Sequence, residues 1–220
     1  MNHIFWPAAI AALSCATTPA QAGWITSWSA APVRPMTSMG EMMRAPAFKN
    51  QTLVQRLRIA AGGKALRLRL TNVYGTAPLD IGGARIALLD KDGKEVPGSA
   101  RALSFSGKPR AIIATGAPLL SDTVDLAVPD LARLSVSLYM PGETGACTCH
   151  QAGLDEMLVS PEGDYLGKPF TPAQKLQNRA FVAAVEVDAA SDAGTIAVMG
   201  DSISDGIGST AGANRRWPDY

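Results

Sequence analysis

Ser202 is the residue whose neighbours best fit it for nucleophilic chemistry. It stands in Gly200-Asp201-Ser202-Ile203-Ser204-Asp205-Gly206, directly after the apolar run Thr195-Ile196-Ala197-Val198-Met199. A continuous apolar run suits a parallel strand buried on both faces. A serine in a glycine-containing turn between such a strand and a helix exposes its hydroxyl. Backbone N–H groups at the start of that helix can then stabilise an oxyanion. The plainer alternative is an ordinary loop in which Ser204 or Asp205 caps a helix. Other motifs fit less well. The lipase elbow G-x-S-x-G fails because position 204 is Ser, not Gly. A phosphate-binding loop would need Gly-Lys-Ser/Thr, which is absent here. Gly206-Ile207-Gly208-Ser209-Thr210-Ala211 matches G-x-G-x-x-A, but its first Gly comes several residues too late after the strand for a dinucleotide site.

A second group of reactive side chains is Cys147-Thr148-Cys149-His150. Three readings are open for it. The thiols form a strained i,i+2 disulfide, stay free and partly buried, or join His150 in a metal site. The metal reading is the weakest, since a fourth ligand is missing and adjacent ligands rarely close a tetrahedron.

The elements that carry these groups read as strands from Trp24 to about Ala190. In Ala65–Thr71, Leu66, Leu68 and Leu70 alternate with Arg67 and Arg69, and in Thr52–Ala60, Leu57 and Ile59 alternate with Arg56 and Arg58. Ala61-Gly62-Gly63-Lys64 reads as a turn, so the two are expected to pair as a hairpin with one wet face. Its four arginines are either a stripe for an acidic polymer or a solvated face that resists edge pairing. Further strands are expected at Ala84–Leu89, Ala100–Phe105, Ala111–Ala114, Val124–Val128, Leu134–Met140 and Phe181–Val187. Turn signals separate them at Asp90–Gly93, Ser106–Pro109 and Pro141-Gly142. Short strands at this spacing suggest a β-sandwich of jelly-roll type. Trp24 and Trp28 either stack on sugar rings or pin the N-terminal segment to the sandwich.

Composition narrows the function classes. The chain has 220 residues, 47% hydrophobic and 18% charged, enough apolar material for a packed core. Lys+Arg number 20 against 19 Asp+Glu, a net charge of +1 without the basic excess of a nucleic-acid binder. Three Cys and two His exclude a multi-zinc module or a dense disulfide scaffold. No apolar run is long enough for a membrane span. Residues 1–22 read as a signal peptide, with an apolar stretch from Ile4 to Cys15 and an A-x-A cleavage site at Ala20-Gln21-Ala22. The mature chain is then expected to begin at Gly23, secreted or periplasmic, leaving His150 as its single imidazole.

The segment Val198–Asp219, VMGDSISDGIGSTAGANRRWPD, resembles block I of the SGNH (GDSL-type) hydrolases. It is most similar to the secreted arylesterase/acylhydrolase-like subfamily, which often reads G-D-S-I-T-D-G-x-G-S-T and then N-x-R-W-P-D. Here Ser204 replaces the usual Thr. Upstream, Trp24–Pro32, Asn72–Leu79 and Ile81-Gly82 also resemble that subfamily, so the likeness spans most of the mature chain.

The resemblance implies a serine esterase. The residue matching Ser202 attacks an ester carbonyl, forms an acyl-enzyme and gives its backbone N–H to the oxyanion. The residue matching Asp201 shapes the turn with Gly200 and is not the triad acid. Neither a cofactor nor a metal is implied. The family's remaining oxyanion donors, a Gly and an Asn, lie on later loops, and its base is a His in a C-terminal D-x-x-H. None of these has a match here, and His150 precedes Ser202 with Cys147 three residues before it. An unusual Ser202–His150 dyad is the remaining intrachain option. The expected organisation is a β-sandwich over 23–190 and, over 194–220, the first strand and helix start of an α/β SGNH domain. The chain is expected to be a fragment with little or no activity. Its substrate would be a small acyl ester or an acetylated polysaccharide. The rival reading is a non-catalytic sandwich that binds carbohydrate or packs against another domain.

Overall fold

The computed structural model describes residues 23–35, 45–190 and 192–219. The expected signal peptide lies outside the described residues, as does Tyr220. The described chain is mainly β. Its strands are β1 (Trp24–Ser29), β2 (Gln51–Arg58), β3 (Leu66–Thr71), β4 (Leu79–Ile81), β5 (Gly83–Leu89), β6 (Arg101–Ala102) and β7 (Ala111–Ile113). They continue with β8 (Pro118–Leu120), β9 (Arg133–Met140), β10 (Cys149–His150), β11 (Met157–Glu162), β12 (Gln174–Leu176), β13 (Arg179–Ala180) and β14 (Val182–Asp188). One helical turn, α1 (Ser202–Asp205), and a 3-10 turn at Trp217–Asp219 follow.

Two larger sheets hold most of these strands. One is four-stranded in the order β1-β14-β3-β8; the other is six-stranded, β12-β11-β2-β9-β5-β6. The pairs β10-β13 and β4-β7 form two small sheets. Every strand pair is antiparallel. Alternation explains the core. Leu66, Leu68 and Leu70 of β3, Val185 and Val187 of β14, Leu53 and Leu57 of β2 and Leu134, Val136 and Leu138 of β9 are all within 2% of full burial in one apolar cluster. Full burial of each such side chain stabilises by about 2 kcal/mol.

The expected hairpin of Thr52–Ala60 with Ala65–Thr71 does not form. Its two strands lie in different sheets: β2 pairs with β9 and β11, β3 with β14 and β8. Alternation says which face of a strand is apolar but not which strand lies beside it. Both strands turn their leucines to the shared core, and the Gly62-Gly63 corner carries the chain from one sheet to the other. A Cβ at Gly62 would run into the Val128 carbonyl, and one at Gly63 would meet the Asp188 carbonyl at 2.6 Å. Consequently the four arginines form no stripe. Arg56 and Arg58 belong to one sheet, Arg67 and Arg69 to the other.

Smaller corrections follow the same logic. Val124–Val128 contributes isolated bridges at Val124 and Val128 instead of a strand, and only Arg101–Ala102 of Ala100–Phe105 is strand. Thr195–Met199 is not a strand, and Ile196 and Met199 are 90% and 94% exposed. No described strand lies alongside to cover that run. Trp24 and Trp28 sit on β1, which pairs with β14, so they pin the N-terminal segment as one of the two readings held. The Arg67 guanidinium lies 3.9 Å above the Trp24 ring, and Trp28 packs against the core.

Candidate functional site

The Gly200–Gly206 turn owes its shape to three residues. Asp201 is the N-cap of α1, with extended backbone and a side-chain oxygen that accepts the Ile203 N–H at 3.0 Å. Gly206 closes the turn in the left-handed conformation (φ 89°), and its N–H bonds the Ile203 and Ser202 carbonyls. Gly200 has no room for a side chain, because a Cβ there would collide with the Ser204 hydroxyl. The cap is thus Asp201, not Ser204 or Asp205. Ser202 is the first helical residue and is exposed. Its N–H lies ahead of the helical bonding that starts with Asp205 N–H to the Asp201 carbonyl at 3.0 Å.

His150 reaches this turn from the sandwich. Its position is fixed by a buried bend: Cys147 and Cys149 are joined as a disulfide with Cα atoms 5.3 Å apart, and both are fully buried. Of the three open readings the structure holds the disulfide, which engages both thiols of the bend. The Cys147 N–H bonds the Pro46 carbonyl and the Cys149 carbonyl accepts the Val33 N–H, so the bend is held from both sides. His150 follows on β10. Its Nδ1 lies 2.9 Å from the Ala31 carbonyl, and its Nε2 lies 2.9 Å from each carboxylate oxygen of Asp205.

Two acceptors on the two ring nitrogens suit an imidazolium, which donates at both. Burial disfavours the charge and Arg179 opposes it, but the Asp205 carboxylate and the Ala31 carbonyl outweigh them, and the His150 pKa is raised from 6.5. This geometry removes the Ser202–His150 dyad. Both ring nitrogens are engaged elsewhere, so the ring anchors the turn and turns no free nitrogen to Ser202.

Further polar pins tie the C-terminal segment to the sandwich. The Thr195 hydroxyl donates to the Thr26 carbonyl (2.9 Å) and the Gly212 N–H to the Leu154 carbonyl (2.7 Å). Arg58 of β2 lies 4.0 Å from Asp219, which also accepts from Arg216 at 3.1 Å. In contrast, Ile196, Val198, Met199, Ile203, Ile207 and Trp217 all face solvent. Sequence reasoning singled out Gly200, Asp201 and Ser202 but missed Asp205 as the partner of His150. The two are 55 residues apart, and no spacing rule joins them. Compared with known protein families and with curated proteins, the chain matches none.

Proposed function

We propose that the chain carries the nucleophile turn of an SGNH-type carboxylic-ester hydrolase, with Ser202 as nucleophile. The observation that carries this reading is the turn itself. An exposed serine at the first helical position is preceded by an aspartate cap and a glycine with no space for a Cβ, and followed by a left-handed glycine. That places a hydroxyl and its own N–H together at the mouth of a turn, the pair an acyl transfer needs at its electrophilic carbon and oxyanion. The base and the other oxyanion donors would come from outside the described residues. In this reading 23–190 is a jelly-roll-like sandwich that supports the catalytic unit, and 194–220 would supply the first strand and helix start of its α/β layer where further strands cover it. The exposed apolar side chains at 196–217 are consistent with that role, since a parallel strand and helix need cover on both faces. The Cys147–Cys149 disulfide supports a secreted or periplasmic location. Small acyl esters or acetylated polysaccharides are the substrate class, with no cofactor.

The test is turnover of an aryl acetate by the full-length gene product and by its Ser202→Ala variant. A loss of about 10³-fold or more is expected. Equal turnover by both proteins would end the assignment. The polar pins between segment and sandwich favour one part of the rival reading, a sandwich that packs against another domain, and that part is compatible with the esterase.

A further inference from the structure

Where the C-terminal segment meets the sandwich, a small pocket is lined by Arg58, Asp155, Arg179, Thr210, Arg215 and Arg216. Four guanidinium groups thus gather around one carboxylate, and Asp219, beside Arg58 and Arg216, is the second. Arg179 is the unusual member. Its side chain is 4% exposed, one Nη donates to the Gly153 carbonyl at 3.2 Å and lies 3.7 Å from Asp155, and the other Nη has no partner. A buried, charged donor without an acceptor is costly. Burial and the nearby Arg216 push Arg179 down to about 10, against the pull of Asp155, so it stays charged at neutral pH. Two carboxylates leave the cluster with excess positive charge.

We propose that this pocket is a binding site for a compact monovalent anion, a halide or the carboxylate of a small organic acid. The pocket is partly open to solvent, and its enclosed space of about 10 Å³ is near the lower limit for one water-sized guest or one inserted oxygen. Size therefore excludes a whole phosphate or sulfate from the interior. The guest would accept from the free Arg179 Nη and sit among Arg58, Arg215 and Arg216, with Asp155 limiting the site to one negative charge. The anion would then bridge β2 and β13 to the segment that carries Ser202. The inference stands apart from any role of Ser202 in catalysis.

The experiment is ³⁵Cl line broadening on the full chain at constant ionic strength, with a bulky organic sulfonate as the balancing anion. Saturable broadening is expected, together with a chloride-dependent rise in melting temperature. Arg215→Gln, at an exposed lining position, should weaken chloride binding about threefold to tenfold without loss of fold. Arg179→Gln should abolish it. Displacement of chloride by acetate or formate at equal or lower concentration would identify a carboxylate as the better guest. Absence of saturable broadening in the unmodified chain, or broadening unchanged in Arg215→Gln, would overturn the proposal and leave one water as the occupant. Because Arg215→Gln retains the buried Arg179, the result is readable even where Arg179→Gln does not fold.

Discussion

Gln55 is a polar residue on the core face of β2, between Leu53 and Leu57, and it is fully buried. Its amide does what a neighbouring strand would do. Nε2 donates to the Ala180 carbonyl at 2.8 Å and Oε1 accepts the Ala180 N–H at 3.0 Å. Ala180 ends β13, and the chain then bends at Phe181, which holds a left-handed backbone (φ 62°), to enter β14. Gln55 thus links the six-stranded sheet to the end of β13, just before the chain enters β14 of the four-stranded sheet. Gln55→Leu keeps the bulk but leaves both backbone groups of Ala180 buried and unpaired. We expect a loss of about 3 kcal/mol in urea unfolding, against well under 1 kcal/mol for an exposed Gln. A change below 0.5 kcal/mol would mean that the amide is not the link. Glu186 plays a comparable part on β14, where its buried carboxylate accepts from both Arg67 and Arg69 of β3. Burial raises its pKa, the two guanidinium groups lower it more, and the net shift is downward. In both cases the sequence displayed the residue but not its partner, 125 and 119 positions away.

Among elements, strands were legible where polar and apolar residues alternate. Leu134–Met140, Ala84–Leu89 and Phe181–Val187 were expected close to where β9, β5 and β14 stand. Short strands such as β4, β8 and β10 carry too few residues to show a period; β8 forms on the free edge of the longer β3, whereas β4 and β10 pair only with the equally short β7 and β13. Pairing was illegible at the β2–β3 corner, since an apolar face pointing into a shared core looks the same in either sheet. Ser202 was expected in a glycine-containing turn between a buried strand and a helix; the structure holds a single helical turn with no strand directly before it among the described residues, and its attachment to β10 through His150 and Asp205 was not foreseen. That attachment depends on pH. The folded-state pKa of His150 is raised, so its contribution is complete below the unfolded value of 6.5 and is lost as pH rises through the folded value. The ion pair lies partly exposed, so its worth is on the order of 1 kcal/mol. Protection of the Ser202–Gly206 amides from hydrogen exchange, corrected for intrinsic rates, should therefore fall as pH rises above 6.5. His150→Gln should flatten that change. A drop of equal size in the variant would place the pH sensor elsewhere.

At the scale of the whole molecule, the described residues divide into a well-buried mainly β body and a C-terminal segment held to it by polar contacts. The composition foretold the first, because alternating strands supply enough leucine, valine and isoleucine for a core. It was also the composition of 195–199 that misled, since an apolar run forms a strand only where another strand is there to bond it. The exposed run has a consequence for how the protein behaves as a solute. Ile196, Met199, Ile203 and Trp217 are held outward in water by contacts that salt and pH can weaken, while the net charge of +1 provides almost no mutual repulsion. Molecules in concentrated solution should therefore cohere through this patch. Light scattering is expected to show attractive interactions that strengthen near the isoelectric point, and Met199→Glu with Ile203→Lys should weaken them without changing the unfolding temperature. A hydrophobic dye should bind the unmodified chain in its folded state, at a surface no wider than one segment.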